Sequence, residues 1–160
     1  MIAPPIPPLY DNSSKILILG SFPSVKSRES LFFYGHPQNR FWRVVSSVLG
    51  CKTPETVEEK KKMLLDAKIA LWDVIAECDI SGSADSSIKS ERANDISPIL
   101  ADSDIKMIFT NGKKAHELYE KLIYPSTDRN AICLPSTSPA NAAWTIDRLI
   151  AEWSIIKKYV

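Results

Sequence analysis

The chain has 160 residues, 44% of them apolar, with a net charge of +1, which is enough for a real core and excludes wholesale disorder. No apolar run approaches the ~20 residues of a membrane-spanning helix. Cys51, Cys78 and Cys133 stand far apart with no CxxC pair, against a structural zinc or iron–sulfur cluster.

The opening MIAPPIPPLY is apolar but lacks the charged region of a signal peptide, so it reads as a stiff arm across the domain, in a cytoplasmic protein. KILILG (15–20) is a short apolar run ending in glycine, the first strand. Asn39 precedes RFWRVVSSVLG, a helix that Gly50 terminates. Thr53-Pro54 opens a second helix to about Asp66, a cap residue followed by proline. Lys60-Lys61-Lys62 after Glu58-Glu59 reads as a solvated helix face. IALWDVI (69–75) is strand two, followed by the polar loop DISGSADSS (79–87). Residues 97–101 form a helical turn, KMIFTNG (106–112) is strand three, and 113–123 is a helix. AICLPS (131–136) is strand four. Ser138-Pro139 starts the last helix, to about Lys158.

Strands separated by helices predict an α/β fold: one three-layer α/β/α domain over 1–160 with a central four-stranded parallel sheet. Ligands of such sheets bind outside the carboxyl ends of the strands. Those ends lead into SFPSVKS, DISGSADSS, NGKKAH and PSTSPAN, and YGHPQN (34–39) lies on the same edge. Charge is uneven along the chain. Residues 1–52 carry +4, 53–105 carry −6 and 106–160 carry +3, so the two ends form a basic face suited to a polyanion if they meet in space.

The loops on that edge suit phosphate. Ser21, Ser24, Ser136, Thr137 and Ser138 offer hydroxyls, and helix N-termini at Asn39, Gly112 and Ser138 add their dipoles. Ser-Pro and Thr-Pro also open ordinary turns, so both readings stand. Phe32, Phe33 and Tyr34 lie in a loop, where rings can stack on a base, whereas Phe41 and Trp42 begin a helix and read as core. Asn39 is a good helix cap, and it is also an amide able to orient a water toward a cation-like carbon. His36 contacts phosphate or base, or sits in solvent. No GxSxG elbow and no P-loop is present, and no carboxylate cluster suggests a metal.

GSFPS (20–24), GHPQNRFW (35–42) and LPSTSPAN (134–141) resemble the uracil-DNA glycosylase superfamily, nearest in pattern to its hypoxanthine-DNA glycosylase branch. The resemblance covers nearly the whole chain, and GHPQNRFW is its most specific piece. It implies cleavage of the N-glycosidic bond of a damaged base, such as hypoxanthine from deaminated adenine, in double- or single-stranded DNA. It implies no metal or other cofactor, and a monomer is expected. In the best-known members the first motif reads GQDPYH, and its aspartate serves the attacking water. Phe22 stands at that position here. In the hypoxanthine branch the asparagine of PQN takes the role, which falls on Asn39. HPSPLS of the best-known members aligns with STSPAN (136–141), so Ser136 replaces the histidine that stabilises the leaving base and Ala140 replaces the leucine wedge. The resemblance puts Phe22, Tyr34, His36, Asp73, Asp85 and Ser87 around the base, with Asp73 equally readable as a buried structural carboxylate. It puts Ser21, Pro23, Ser24, Gly112, Lys113, Ser136, Thr137, Ser138, Pro139 and Asn141 against the DNA. A uracil or mismatch glycosylase and a non-catalytic nucleic-acid-binding module are the alternatives.

Overall fold

The structure, a computed structural model, describes residues 6–22, 27, 32–79 and 89–160, with the backbone alone at 77–79 and 89–91. Its centre is the expected four-stranded parallel sheet, in the order β2 (Ile69–Asp73), β1 (Ile16–Gly20), β5 (Met107–Asn111), β6 (Ala131–Leu134). β1 runs ILILG with every residue buried, as a strand covered on both faces should. Ile16 and Ile18 face one core and Leu17 and Leu19 the other. The first core takes Phe41, Val44, Val45 and Val48 of α1 (Phe41–Leu49), Leu64 of α2 (Val57–Asp66), and Leu149 and Trp153 of α6 (Ile146–Trp153). The second takes Ile99 of α3 (Ser97–Asp102) and Leu118 and Tyr119 of α4 (Lys113–Leu122). A single turn of helix, α5 (Tyr124–Thr127), leads from α4 toward β6.

The arm expectation holds for its described part. Leu9 and Leu71 exchange two backbone hydrogen bonds of 2.9 Å, and Ile6 is buried, so residues 6–10 cover the outer edge of β2.

Three element boundaries differ from expectation. The second helix starts at Val57, not at Thr53-Pro54. Thr56 and Glu59 form a reciprocal capping box there, while the Thr53 hydroxyl meets Ser46 Oγ at 3.1 Å. The last helix starts at Ile146, capped by Thr145, and ends as a 3-10 turn at Ser154–Lys158. Ser138-Pro139 is loop, so no helix dipole points from that position. Strand two ends at Asp73, and the chain continues into β3 (Ile75–Asp79), which pairs antiparallel with β4 (Lys89–Ala93). KSERA carries no apolar alternation, which is why the sequence alone did not mark it as a strand.

The two ends of the chain do meet, α1 packing on α6 with Phe41 edge-on to Trp153 at 5.8 Å; among the described cations Arg40 is turned inward and Lys15 lies at the opposite, amino edge of the sheet. The lysine run is also less free than expected. Lys62 pairs with Asp66 at 2.7 Å, but Lys60 and Lys61 lie over the Trp42 and Phe32 rings, 5.2 and 5.9 Å from the centroids. Burial pushes the Lys60 pKa down.

Candidate active site

The carboxyl ends of all four sheet strands open into one cavity of about 780 Å³. β1 delivers Gly20, Ser21 and Phe22, β2 delivers Asp73, β5 delivers Asn111, and β6 runs into Pro135, Ser136, Thr137 and Ser138. The loop before α1 adds Phe33, Tyr34 and Asn39. Such a volume is in the ordinary range for ligand pockets, roughly 300–1,000 Å³.

Tyr34 takes a positive φ of 51°, which brings its ring flat onto Phe41 at 4.2 Å between centroids and leaves it on the cavity wall. Phe33 also lines the cavity. Phe32 does not: it stacks on Trp42 in the core. Asp73 is buried at 5% exposure, and Oδ1 lies beside Gly20. A Cβ at position 20 would sit 2.5 Å from Asp73 Oδ1 and 3.0 Å from the Tyr34 hydroxyl. Gly20→Ala is therefore expected to displace the carboxylate and to destabilise the fold by about 1–3 kcal/mol, the usual range for overpacking. An unchanged midpoint in urea unfolding would mean that Asp73 swings aside freely.

Asn39 does two things with one oxygen. Its Oδ1 accepts the backbone N–H of Phe41 at 2.9 Å, an Asx turn leading into α1; the N-cap itself is Arg40, which makes no side-chain cap bond, so the expected cap at Asn39 is displaced by one residue. The same atom accepts the Thr137 hydroxyl at 2.8 Å. A carbonyl oxygen has two lone pairs, and both are taken. Only the Nδ2 amide group is left for the cavity. Thr137 is fully buried, and its backbone N–H donates to Asn111 Oδ1 while its hydroxyl accepts from Asn111 Nδ2, both at 3.0 Å. Thr137 therefore supports Asn39 from inside.

Arg40 holds the loop that follows β6. Its backbone N–H donates to Thr137 O, and its guanidinium donates to the carbonyls of Ser138 (2.9 Å), Asn141 (3.1 Å) and Trp144. Asn141 Nδ2 donates to Ser136 O, Ser136 Oγ accepts from Ser138 N–H, and Ser138 Oγ accepts from Ala140 N–H. Pro139 is exposed within this loop, and Lys113 is exposed at the cavity mouth at the start of α4, after Gly112 at φ 99°.

His36 is not in the cavity wall. Its Nδ1 accepts the Gln38 N–H at 3.1 Å and its carbonyl accepts the Asn39 N–H, so it builds the turn that presents Asn39. Pro23, Ser24, Asp85 and Ser87 lie outside the described residues. Sequence reasoning missed Asn111, Trp144, Cys133 and Glu152 on the cavity wall. For Asn111 a signal existed, a polar residue closing an apolar strand just before Gly112. Cys133 is a free, exposed thiol whose pKa is pushed up chiefly by partial desolvation. Among the described residues no three His, Cys, Asp or Glu side chains converge as a metal site, and no helix is long and apolar enough to cross a membrane.

The chain is similar to known proteins along most of its length. A hypoxanthine DNA glycosylase of Methanosarcina acetivorans is 37% identical over 99% of this chain and 100% of its own. A hypoxanthine DNA glycosylase of Methanosarcina barkeri is 38% identical over 84% of this chain and 85% of its own. A solution structure from Methanosarcina acetivorans, described as a candidate uracil DNA glycosylase, superposes with a TM-score of 0.83 at 36% identity, covering 99% of this chain and 98% of that one. The sequence model of the uracil DNA glycosylase superfamily matches residues 7–157, a span that takes in all six strands and every described cavity residue. A match over nearly the whole chain, strand ends and cavity included, settles the family: this chain belongs to the uracil DNA glycosylase superfamily.

Proposed function

We propose that this chain is a monofunctional DNA glycosylase that excises hypoxanthine and so starts base excision repair. The observation that carries this reading is the convergence of four strand ends and Asn39 on one cavity, in a chain similar along its length to proteins named hypoxanthine DNA glycosylase. The damaged nucleotide swings out of the stack into the cavity, at a cost of a few kcal/mol that is least where pairing is already poor. Tyr34 and Phe22 offer ring faces to the base, each stack worth roughly 1–3 kcal/mol. Asp73 faces the base edge from the end of β2. The bond from C1′ to the purine nitrogen breaks with its electron pair going to the base. The sugar is left oxocarbenium-like, where little basicity is needed in the attacking water. Asn39 holds that water through Nδ2–H. The water oxygen adds at C1′ and its proton is lost to the departing base or to solvent, giving free hypoxanthine and an abasic sugar. The Ser136–Asn141 loop and Lys113 hold the DNA backbone beside the cavity. The chain acts as a monomer, one domain over 1–160, in the cytoplasm; both described thiols are free, as a reducing compartment keeps them.

The test is an oligonucleotide assay in which duplexes and single strands carry one hypoxanthine or one uracil, and alkali cuts each abasic site formed. Cutting at hypoxanthine that Asn39→Ala abolishes is the expected result. Cutting at uracil in preference would assign the chain to uracil. Binding of both duplexes without cutting would make it a non-catalytic binding module.

A further inference from the structure

Two carboxamides and one hydroxyl form a line with a single allowed sense. Asn111 Oδ1 accepts the Thr137 backbone N–H, a group that can only donate, so the other end of that amide must be Nδ2. Nδ2 donates to Thr137 Oγ1 at 3.0 Å. The one hydroxyl proton of Thr137 is thereby turned to its other neighbour, Asn39 Oδ1, at 2.8 Å. At the far end, the Phe41 backbone N–H also can only donate, and it meets the same Asn39 Oδ1 at 2.9 Å. Both amides are thus oriented by backbone N–H groups, and the threonine proton fits between them in one direction alone. A rotated Asn39 amide would set its Nδ2 against two donors.

We propose that Asn111 is a positioning residue that acts through Thr137 to lock Asn39 with its N–H toward the cavity, so that Asn39 meets the reacting centre as a hydrogen-bond donor and never as the acceptor of the water's proton. This rests on the glycosylase reading for its consequence in catalysis, though the lock itself is a property of the fold. It requires that the group facing Asn39 be an acceptor, the lone pair of a water oxygen or of the departing base. It also accounts for the burial of Thr137 in a loop whose serines are only half-buried and whose Pro139 is exposed.

The variants are chosen to reverse the line without emptying it. Asn111→Asp keeps an acceptor for the Thr137 N–H but offers its hydroxyl a second acceptor, drawing the proton away from Asn39. Thr137→Val removes the hydroxyl at similar size, and Thr137→Ser restores it. Single-turnover base release and duplex affinity are measured separately on the hypoxanthine duplex, with unfolding midpoints alongside. The expected result is a fall in the single-turnover rate of about 100-fold for Asn111→Asp and Thr137→Val, the loss typical of a misplaced reacting group. Duplex affinity should change little, and Thr137→Ser should recover most of the rate. A 15N–1H spectrum supplies a readout independent of activity, in which the Asn39 side-chain amide signals shift in Asn111→Asp and Thr137→Val and stay at their wild-type positions in Thr137→Ser. Rates at or above wild type in Thr137→Val, where Asn39 Oδ1 regains a lone pair, would overturn the proposal. So would an unmoved Asn39 amide signal in Asn111→Asp. If wild type releases no base at all, the glycosylase reading fails, and the amide signals still decide whether the lock exists.

Discussion

Asn39→Asp is expected to leave the fold as stable as wild type, or slightly more so, while base release falls by about 100- to 1,000-fold. The two halves of this result have different causes. A carboxylate at position 39 still accepts the Phe41 N–H and the Thr137 hydroxyl that the amide oxygen accepts now. Its charge also suits the positive end of α1, an effect worth about 0.3–1 kcal/mol. What disappears is Nδ2 and its two N–H bonds, the only part of the side chain not occupied by the protein. Losing the group that positions the attacking water costs about 100-fold or more in rate, the loss typical of a misplaced reacting group. Asn39→Ala serves as the contrast, since it also loses the oxygen that accepts the Phe41 N–H and the Thr137 hydroxyl and should cost about 1 kcal/mol of stability on top. Alkali-cleaved oligonucleotides measure the first effect and thermal unfolding the second. A fully active Asn39→Asp would mean that the oxygen end orients the water, as the aspartate of the superfamily's best-known members does.

Arg40→Ala is expected to lower stability by about 2–4 kcal/mol, because a charged donor that satisfies three backbone carbonyls is removed at once. In a domain of this size that corresponds to roughly 5–15 °C in the midpoint of thermal unfolding. No carboxylate balances the guanidinium among the described residues. Its worth therefore lies in the fork that reaches Ser138, Asn141 and Trp144 together, and Arg40→Lys should recover little of the loss. Base release should fall in both variants, since the same loop carries Thr137, on which Asn39 leans, and Ser138 and Asn141 at the cavity wall. A lysine variant with wild-type midpoint and rate would show that the charge alone suffices.

Both predictions turn on residues whose meaning the chain reveals only when folded. The strands of the sheet were legible because burial on both faces leaves an unbroken apolar run, as in ILILG and KMIFT, and their parallel order follows from the helices between them. The edge that carries the site was legible for the same reason, since parallel strands put their carboxyl ends together. Asn39 was legible within GHPQNRFW, while its expected cap role falls on Arg40. The start of α2 was misread because Thr53-Pro54 and Thr56 are both good openings, and only packing shows that the Thr53 hydroxyl is held by Ser46. β3 and β4 were missed because the charges of IAECD and KSERA interrupt any apolar period.

The amino-acid sequence by itself determined the α/β layers, the four parallel strands, the strand-end location of the cavity and the family. These follow from apolar periodicity and short motifs, which act over a few residues. The tertiary structure alone decided what Asn39, Arg40 and Thr137 do. Thr137 reaches Asn39 across 98 residues of chain, and Arg40 reaches the carbonyls of Ser138, Asn141 and Trp144 across 98 to 104. A hydrogen bond between such distant residues leaves no local pattern, because its geometry exists only once the sheet has brought the strand ends together.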